Sequence, residues 1–557
     1  MRKIVLALCL VQAAAAASPA VTLRVDAAST FAENEASWGY FGYDEANYTY
    51  APNGRKLIRE LVELSRDPVH IRTHFLLASG DGTGGLKWGS TNAYSEDSAG
   101  QPVYNWTVVD RILGTWVDAG AIPFVEIGFM PRALSTHPEP YAVNWIPGAK
   151  NADYFGGWTY PPKSYQKWSE LIEAWVRHAV SKYGEEEVRK WDWEVWNEPD
   201  IAYWHGTPEE YDRLYDYTSA AVKRALPGAR VGGPASTGPG SAKAAEFLRQ
   251  FLNHCASGRN EATGGEGAPL DFISYHAKGR PQVTGEHVRM GLAQEMRDVE
   301  RGFETVKSFP KFAKLPIVLS EADPEGCAAC SARVYPQNAY RNGTLYAAYE
   351  VTAWKTITEL ARREQVNLQG MLTWAFEFEN QPYFAGFRTL ATNGIDKPVL
   401  NFFRMAGLLT GRLARVESSG AVPLQKIVAS GADSPMVDAL AVRSENRLAI
   451  LVWHYGDDEA AKPDAEVSLQ IAGLPANRKR VRVLHFRIDQ QHSNAYTAWK
   501  RMGAPQNPNA EEYRELERAG QLQLLNSPAW AGVSAGAAEL HFSLPYEALS
   551  LIEFGWD

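Results

Sequence analysis

"KWDWEVWNEPD", residues 190–200, sets three Trp, four acids and an Asn in eleven positions and closes on Asn197-Glu198-Pro199-Asp200. The run Trp193 to Trp196 reads as a β-strand covered on both faces, and Pro199, which has no N–H for a sheet ladder, stops it. Seven further runs of the same kind flank it: 37–43, 69–75, 122–129, 229–236, 270–277, 315–321 and 370–378. Stretches of helical period lie between them, such as "RKLIRELVEL" (55–64), "YQKWSELIEAWVRHAVSKYG" (165–184) and "GTLYAAYEVTAWKTITELARR" (343–363). Near-continuous apolar strands alternating with helices predict an α/β chain folded as a (β/α)8 TIM barrel over residues 18–410.

Past residue 410 the pattern changes to short alternating runs separated by turn residues, among them 446–455, 465–473, 479–488, 538–545 and 548–556. Residues 411–557 therefore predict a C-terminal antiparallel β-sandwich domain. "VTLRVDA" (21–27) also alternates and is expected to add a strand to that sandwich. Ahead of it, Arg2 and Lys3, an apolar stretch from Ile4 to Val11 and the small residues Ala13 to Ala17 have the layout of a cleaved signal peptide, residues 1–17. The apolar stretch is too short to span a bilayer, so the expectation is a secreted or periplasmic protein without membrane insertion. In such a compartment Cys327 and Cys330 form a local disulfide or remain two thiols; no further zinc-type ligands accompany them.

The 557 residues carry a net charge of -9 spread along the chain, and no nucleic-acid partner is expected. Eighteen Trp and twenty-five Tyr offer flat apolar faces of the kind that suit sugar rings. No cofactor fingerprint and no metal-ligand spacing is present. In a (β/α)8 barrel the chemistry sits at the C-terminal ends of the strands. Applied as a filter, this rule selects Glu198 at the end of the fourth strand and Glu321 at the end of the seventh, facing each other across the barrel. Paired carboxyls are the equipment of glycoside hydrolysis, one giving a proton to the leaving oxygen and the other attacking the anomeric carbon.

"EVWNEPD", "RTHF", "FVEIGFMP", "YPPKSYQKW", "HGTPEEYDRLYDYT", "VGGPAS" and, further on, "HSNAYTAWKRMGAPQNP" (492–508) resemble glycoside hydrolase family 39 in the same order. The resemblance implies a retaining glycosidase with Glu198 as general acid/base and Glu321, in "LSEADPEG", as nucleophile. It implies that Asn197 bonds the sugar 2-hydroxyl, that His276 lines the floor of the sugar site, and that Arg72 keeps the nucleophile ionised. His74, Glu126, Tyr275, Trp374 and Glu379 are expected in the wall of the site. Glu194, in the strand itself, is expected below the rim and outside the chemistry.

The family implies an exo-acting β-D-xylosidase first, taking xylose from the non-reducing ends of xylo-oligosaccharides, with α-L-arabinosidase side activity. It also contains α-L-iduronidases. "EADPEG" resembles the iduronidase form of the nucleophile loop, and Lys278 and Arg388 fall where iduronidases bind the substrate carboxylate. Asp323 or Glu379 would cancel those two cations as structural ion pairs. A carbohydrate-binding protein without catalysis is the other class of reading, but such a protein would be expected to lack one of the two Glu.

Overall fold

A computed structural model describes residues 20–140, 157–374 and 376–556; the leader expected at 1–17 lies outside them. Eight parallel strands close into a barrel: β1 (Tyr40–Tyr43), β2 (His70–Thr73), β3 (Ile122–Ile127), β4 (Asp192–Val195), β5 (Arg230–Ser236), β6 (Phe272–Lys278), β7 (Pro316–Asp323) and β8 (Asn367–Trp374). Each coincides with one of the eight runs read from the sequence. A helix follows every strand. The helix Tyr165–Tyr183 begins where the Ser164 hydroxyl accepts the Lys167 N–H, and it buries Trp168, Leu171, Ile172, Trp175 and Ala179 on one face. In the helix Pro208–Ala225, Thr207 and Glu210 form a reciprocal capping box with Pro208 at the first position.

The barrel interior is layered. Its lower part is apolar, with Tyr40, Phe124, Phe272, Val318 and Leu372 in mutual contact. Above this, β4 departs from the expected apolar strand. Trp193 packs edge-on against Trp175 of the helix layer, so by strand alternation Asp192 and Glu194 point inward. These acids are tolerated because cations meet them: Arg230 Nε lies 2.8 Å from Asp192, and Arg72 Nε 2.6 Å from Glu194.

Ten strands form the second unit, hydrogen-bonded as one continuous curled sheet. The strand Val21–Glu33 enters it between Arg412–Ser418, to which it is antiparallel, and Ala465–Ala472, to which it is parallel. One pair thus breaks the antiparallel rule. Leu23, Val25 and Ala27 fill the sheet's own core with Val452, Leu469 and Ile552. On the other face of the central strands, Leu440, Val442, Leu451 and Leu551 join the barrel core. The sheet is therefore packed on the barrel rather than tethered to it. Within residues 492–508, Tyr496 and Trp499 reach the barrel loop at Phe384, with ring centroids 5.4 and 5.1 Å apart.

Truncating Leu23, which is fully buried in this sheet, should cost about 2–5 kcal/mol. Urea unfolding of Leu23→Ala reads this directly, and turnover per folded molecule should stay at the parent value.

Candidate active site

Glu198 leaves β4 through an unusual piece of backbone. Trp196 and Glu198 both have positive φ, 73° and 45°, a left-handed conformation that costs a residue with a side chain about 1–3 kcal/mol. Flanking strands hold it. The Trp196 N–H donates to the Ile127 carbonyl at 3.2 Å and the Glu198 N–H to the Ala235 carbonyl at 2.8 Å. Trp196 Nε1 donates to the Tyr203 carbonyl. The result turns the Glu198 carboxylate over the barrel mouth, where its side chain is 17% exposed.

Glu321 extends inward from β7 and is nearly buried. His276, from β6 between the two strands, joins the acids: its Nδ1 lies 2.9 Å from Glu198 Oε1 and 3.7 Å from Glu321 Oε2. An oxygen of each carboxylate falls within 4.8 Å of the other. That separation matches the ~5–5.5 Å of retaining glycosidases and is short of the ~6.5–9.5 Å an inverting pair needs to admit a water.

Beneath Glu321 sits the Arg72 guanidinium, fully buried. Its nitrogens meet Glu194 at 2.6 Å, Glu126 at 3.0 Å, the Asn197 amide oxygen at 3.0 Å and Glu321 at 3.5 Å. His74 lies beside it, with Nδ1 2.8 Å from Asp44 and Nε2 3.1 Å from Glu126 and 3.6 Å from Glu321. The Trp374 ring lies beside both, 4.4 Å from the His74 ring at a tilt of 40° and 5.2 Å from the guanidinium.

Protonation follows from these contacts. Burial alone would raise the Glu321 carboxyl, but His276, Lys278 and His74 outweigh it and hold the group well below its usual range. Burial would strip the His74 proton, yet Glu126 and Asp44 raise its pKa to about 10. Burial also lifts Glu126 to about 7, against the pull of His74 and Arg72.

The remaining expected residues divide. Lys278 is at the site: its Nζ lies 2.7 Å from Glu321 Oε2 and 2.5 Å from Asp323 Oδ2. Arg388 is not an open carboxylate receptor. It is wholly buried, paired with Asp323 Oδ1 and, at 2.7 Å, with Glu325, and it donates to the Trp374 carbonyl. Glu379 pairs with neither Lys278 nor Arg388 among the described residues. Its carboxylate accepts from the Asn53 N–H and amide at 2.9 and 3.2 Å, at the start of the helix after β1. Tyr275 faces outward, with its hydroxyl 3.4 Å from the Val299 carbonyl in the helix layer. Cys327 and Cys330 are joined as a disulfide.

Three site residues escaped the sequence reading. Asp44 follows β1, and the strand-end filter would have found it had it been applied to every strand. Its pKa falls to about 2, because Lys87 and His74 overcome burial. Lys87, from the long loop 78–100, has its Nζ 3.9 Å from Asp44, and nothing in its local sequence marks it. Glu194 was expected to stand apart from the chemistry, yet it anchors the arginine that contacts the nucleophile. Among the described residues, Glu198, His276 and Glu321 are the group whose ligand atoms converge as metal ligands would. The Lys278 ammonium against Glu321 makes that cluster better suited to a proton than to a dication.

Two acids at retaining distance, on strands four and seven of the barrel, agree with the match of residues 70–530 to the family model Glycosyl hydrolases family 39. The chain belongs to glycosyl hydrolase family 39. It is 29% identical over 427 residues to a beta-xylosidase of Caldicellulosiruptor saccharolyticus, an alignment spanning 74% of this chain and 76% of that one. It is 28% identical over 418 residues to an alpha-L-iduronidase of Mus musculus, across 69% and 61% of the two chains. Among solved structures, a monomeric beta-xylosidase from Caulobacter crescentus CB15 superposes with a TM-score of 0.73 at 22% identity, covering 96% of this chain and 99% of that one. Family 39 members are glycoside hydrolases, and so is this protein.

Folded His74 and Glu126 both bind protons more tightly than their ordinary values of 6.5 and 4.5. The unfolded chain therefore binds fewer protons, and stability falls as pH rises. Glu126 contributes the loss between about 4.5 and 7, and His74 the loss between about 6.5 and 10. Melting temperature against pH should decline through both windows, and His74→Asn should flatten the upper one.

Proposed function

We propose that the protein is a retaining, exo-acting β-D-xylosidase, releasing xylose from the non-reducing ends of xylo-oligosaccharides and tolerating α-L-arabinosides as a side activity. The observation that carries the reading is the pair Glu198 and Glu321, with carboxylate oxygens within 4.8 Å. Glu321, held ionised, attacks the anomeric carbon while protonated Glu198 gives its proton to the departing glycosidic oxygen. The product is a glycosyl ester on Glu321 and a free alcohol. Glu198, now a carboxylate, takes a proton from water, which attacks the same carbon, returns Glu321 as carboxylate and releases the sugar with its configuration retained. The Asn197 amide oxygen accepts a hydrogen bond from Arg72, which directs the Asn197 NH2 toward a sugar 2-hydroxyl.

The neutral sugar is favoured by how the cations are spent. Lys278 already faces two carboxylates, and Arg388 is sealed beneath Asp323, Glu325 and Trp374. A uronate would have to compete for Lys278 alone. The iduronidase reading keeps one observation in its favour: Lys278 stands beside the nucleophile, within reach of a sugar bound there. The exo mode is supported by the loop 78–100, which sends Lys87 to the barrel mouth.

A panel of aryl β-xyloside, α-L-arabinoside, β-glucuronide and α-L-iduronide tests the assignment. The β-xyloside should have the highest kcat/KM, by at least about tenfold over either uronide; an iduronide preference would overturn it. Glu321→Gln should lower kcat on the preferred substrate by at least about a thousandfold, and unaffected hydrolysis would sink the mechanism. Glu198→Ala should recover turnover with added azide, giving a β-glycosyl azide, because the small anion takes the place of the base-activated water.

A further inference from the structure

The net negative charge of the chain hides a basic cluster that the sequence reading passed over, "RKRVR" at residues 478–482. Arg478, Lys479, Arg480 and Arg482 are all exposed, and none forms an ion pair among the described residues. The cluster opens the strand Arg480–Ile488, whose edge is extended by the short strand Ala529–Gly532. Val481 points into the sheet core, so Arg480 and Arg482 share the outer face. Trp530 pairs directly across from Arg482 and is 58% exposed. The Arg480 guanidinium lies over its ring, 4.4 Å from the centroid.

The floor beside these side chains is bare. Gly532 stands opposite Arg480 and Gly555 opposite Arg482, and a Cβ built on either would meet no atom within 4 Å. An exposed indole, two guanidiniums and an open glycine shelf lie together on one edge of the sheet. The other large exposed apolar residues, Phe31, Val103, Ile201 and Val283, belong to other elements, so the patch is not an apolar face.

We propose that this shelf binds an acidic, uronate-bearing polysaccharide, remote from the chemistry of the barrel. Each part answers to that chemistry. An indole face accepts the C–H side of a pyranose ring, guanidiniums grip carboxylates with paired N–H donors, and a glycine floor lets a flat chain lie close. The stacked Arg480 is preorganised and loses little freedom on binding. A second copy of the chain is disfavoured, since a two-fold contact would bring four cations against four. A lipid surface would ask for several protruding apolar side chains where there is one.

Affinity electrophoresis and titration with polygalacturonate, neutral arabinoxylan, double-stranded DNA and phosphatidylglycerol vesicles separate the possibilities. The parent protein should bind polygalacturonate in a salt-sensitive manner and bind arabinoxylan, DNA and vesicles at least tenfold more weakly. The triple variant Trp530→Ala, Arg480→Ala, Arg482→Ala should lose at least tenfold in that affinity. Its melting temperature and its kcat/KM on small aryl glycosides should remain those of the parent. Trp530→Ala alone should weaken binding at high salt, where the charge contribution is screened. No retention of the acidic polymer, equal retention of DNA or vesicles, unchanged binding by the triple variant, or a dimer that the triple variant dissolves would each overturn the proposal.

Discussion

The site depends on one buried cation. Arg72 has no access to water, and a guanidinium in that position is stable only if carboxylates and amide oxygens replace its solvation. Glu194 and Glu126 supply the charge, and Asn197 supplies a neutral acceptor. Satisfying Arg72 fixes the inward face of β4, the end of β3 and the residue next to the acid/base in one arrangement. Glu321 meets the same cation through Oε1 at 3.5 Å, the longest of these contacts, while its Oε2 is paired with Lys278 at 2.7 Å. The two oxygens are therefore held unequally, Oε2 tightly by Lys278 and Oε1 loosely by Arg72 and His74.

A second row of charges runs outward from the nucleophile on β6, β7 and the loops after β7 and β8. Lys278 joins Glu321 to Asp323, Asp323 joins Lys278 to Arg388, and Glu325 joins Arg388 to Arg341. Arg341 also donates to the carbonyls of Cys327 and Cys330, so the disulfide loop is stitched into the row. Alternating signs let six charged groups share a nearly dry region. The same alternation leaves Arg388 without a free face for substrate.

Most of this was legible where a one-dimensional rule applied. Strand and helix periods located all eight barrel units, and the strand-end rule found Glu198 and Glu321. The rule failed by design below the rim, which is why Glu194 was set aside. Tyr275 could have been assigned outward from parity alone, since His276 and Lys278 are two apart and share the inner face. Arg388 and Glu379 could not have been resolved this way. Whether a cation greets substrate or a buried acid depends on loops whose relative positions no local pattern encodes. Lys87 is the extreme case, a residue in an irregular loop that matters because of where the loop lands. The curled sheet was read as a sandwich because alternation reveals an inward and an outward face, but not whether two layers are one sheet bent over.

The strand Val21–Glu33 imposes an order of events on synthesis. Val21 pairs with Val467, and Asp26 with Ala472, so this segment stays without that neighbour until the whole barrel has left the ribosome. At about 5–20 residues per second the wait is roughly 20–90 s. Throughout it an alternating strand with two unpaired edges is a template for pairing with other chains. The charged and polar residues on its outer face, Arg24, Asp26 and Glu33, are well placed to keep that waiting strand soluble until its partners arrive.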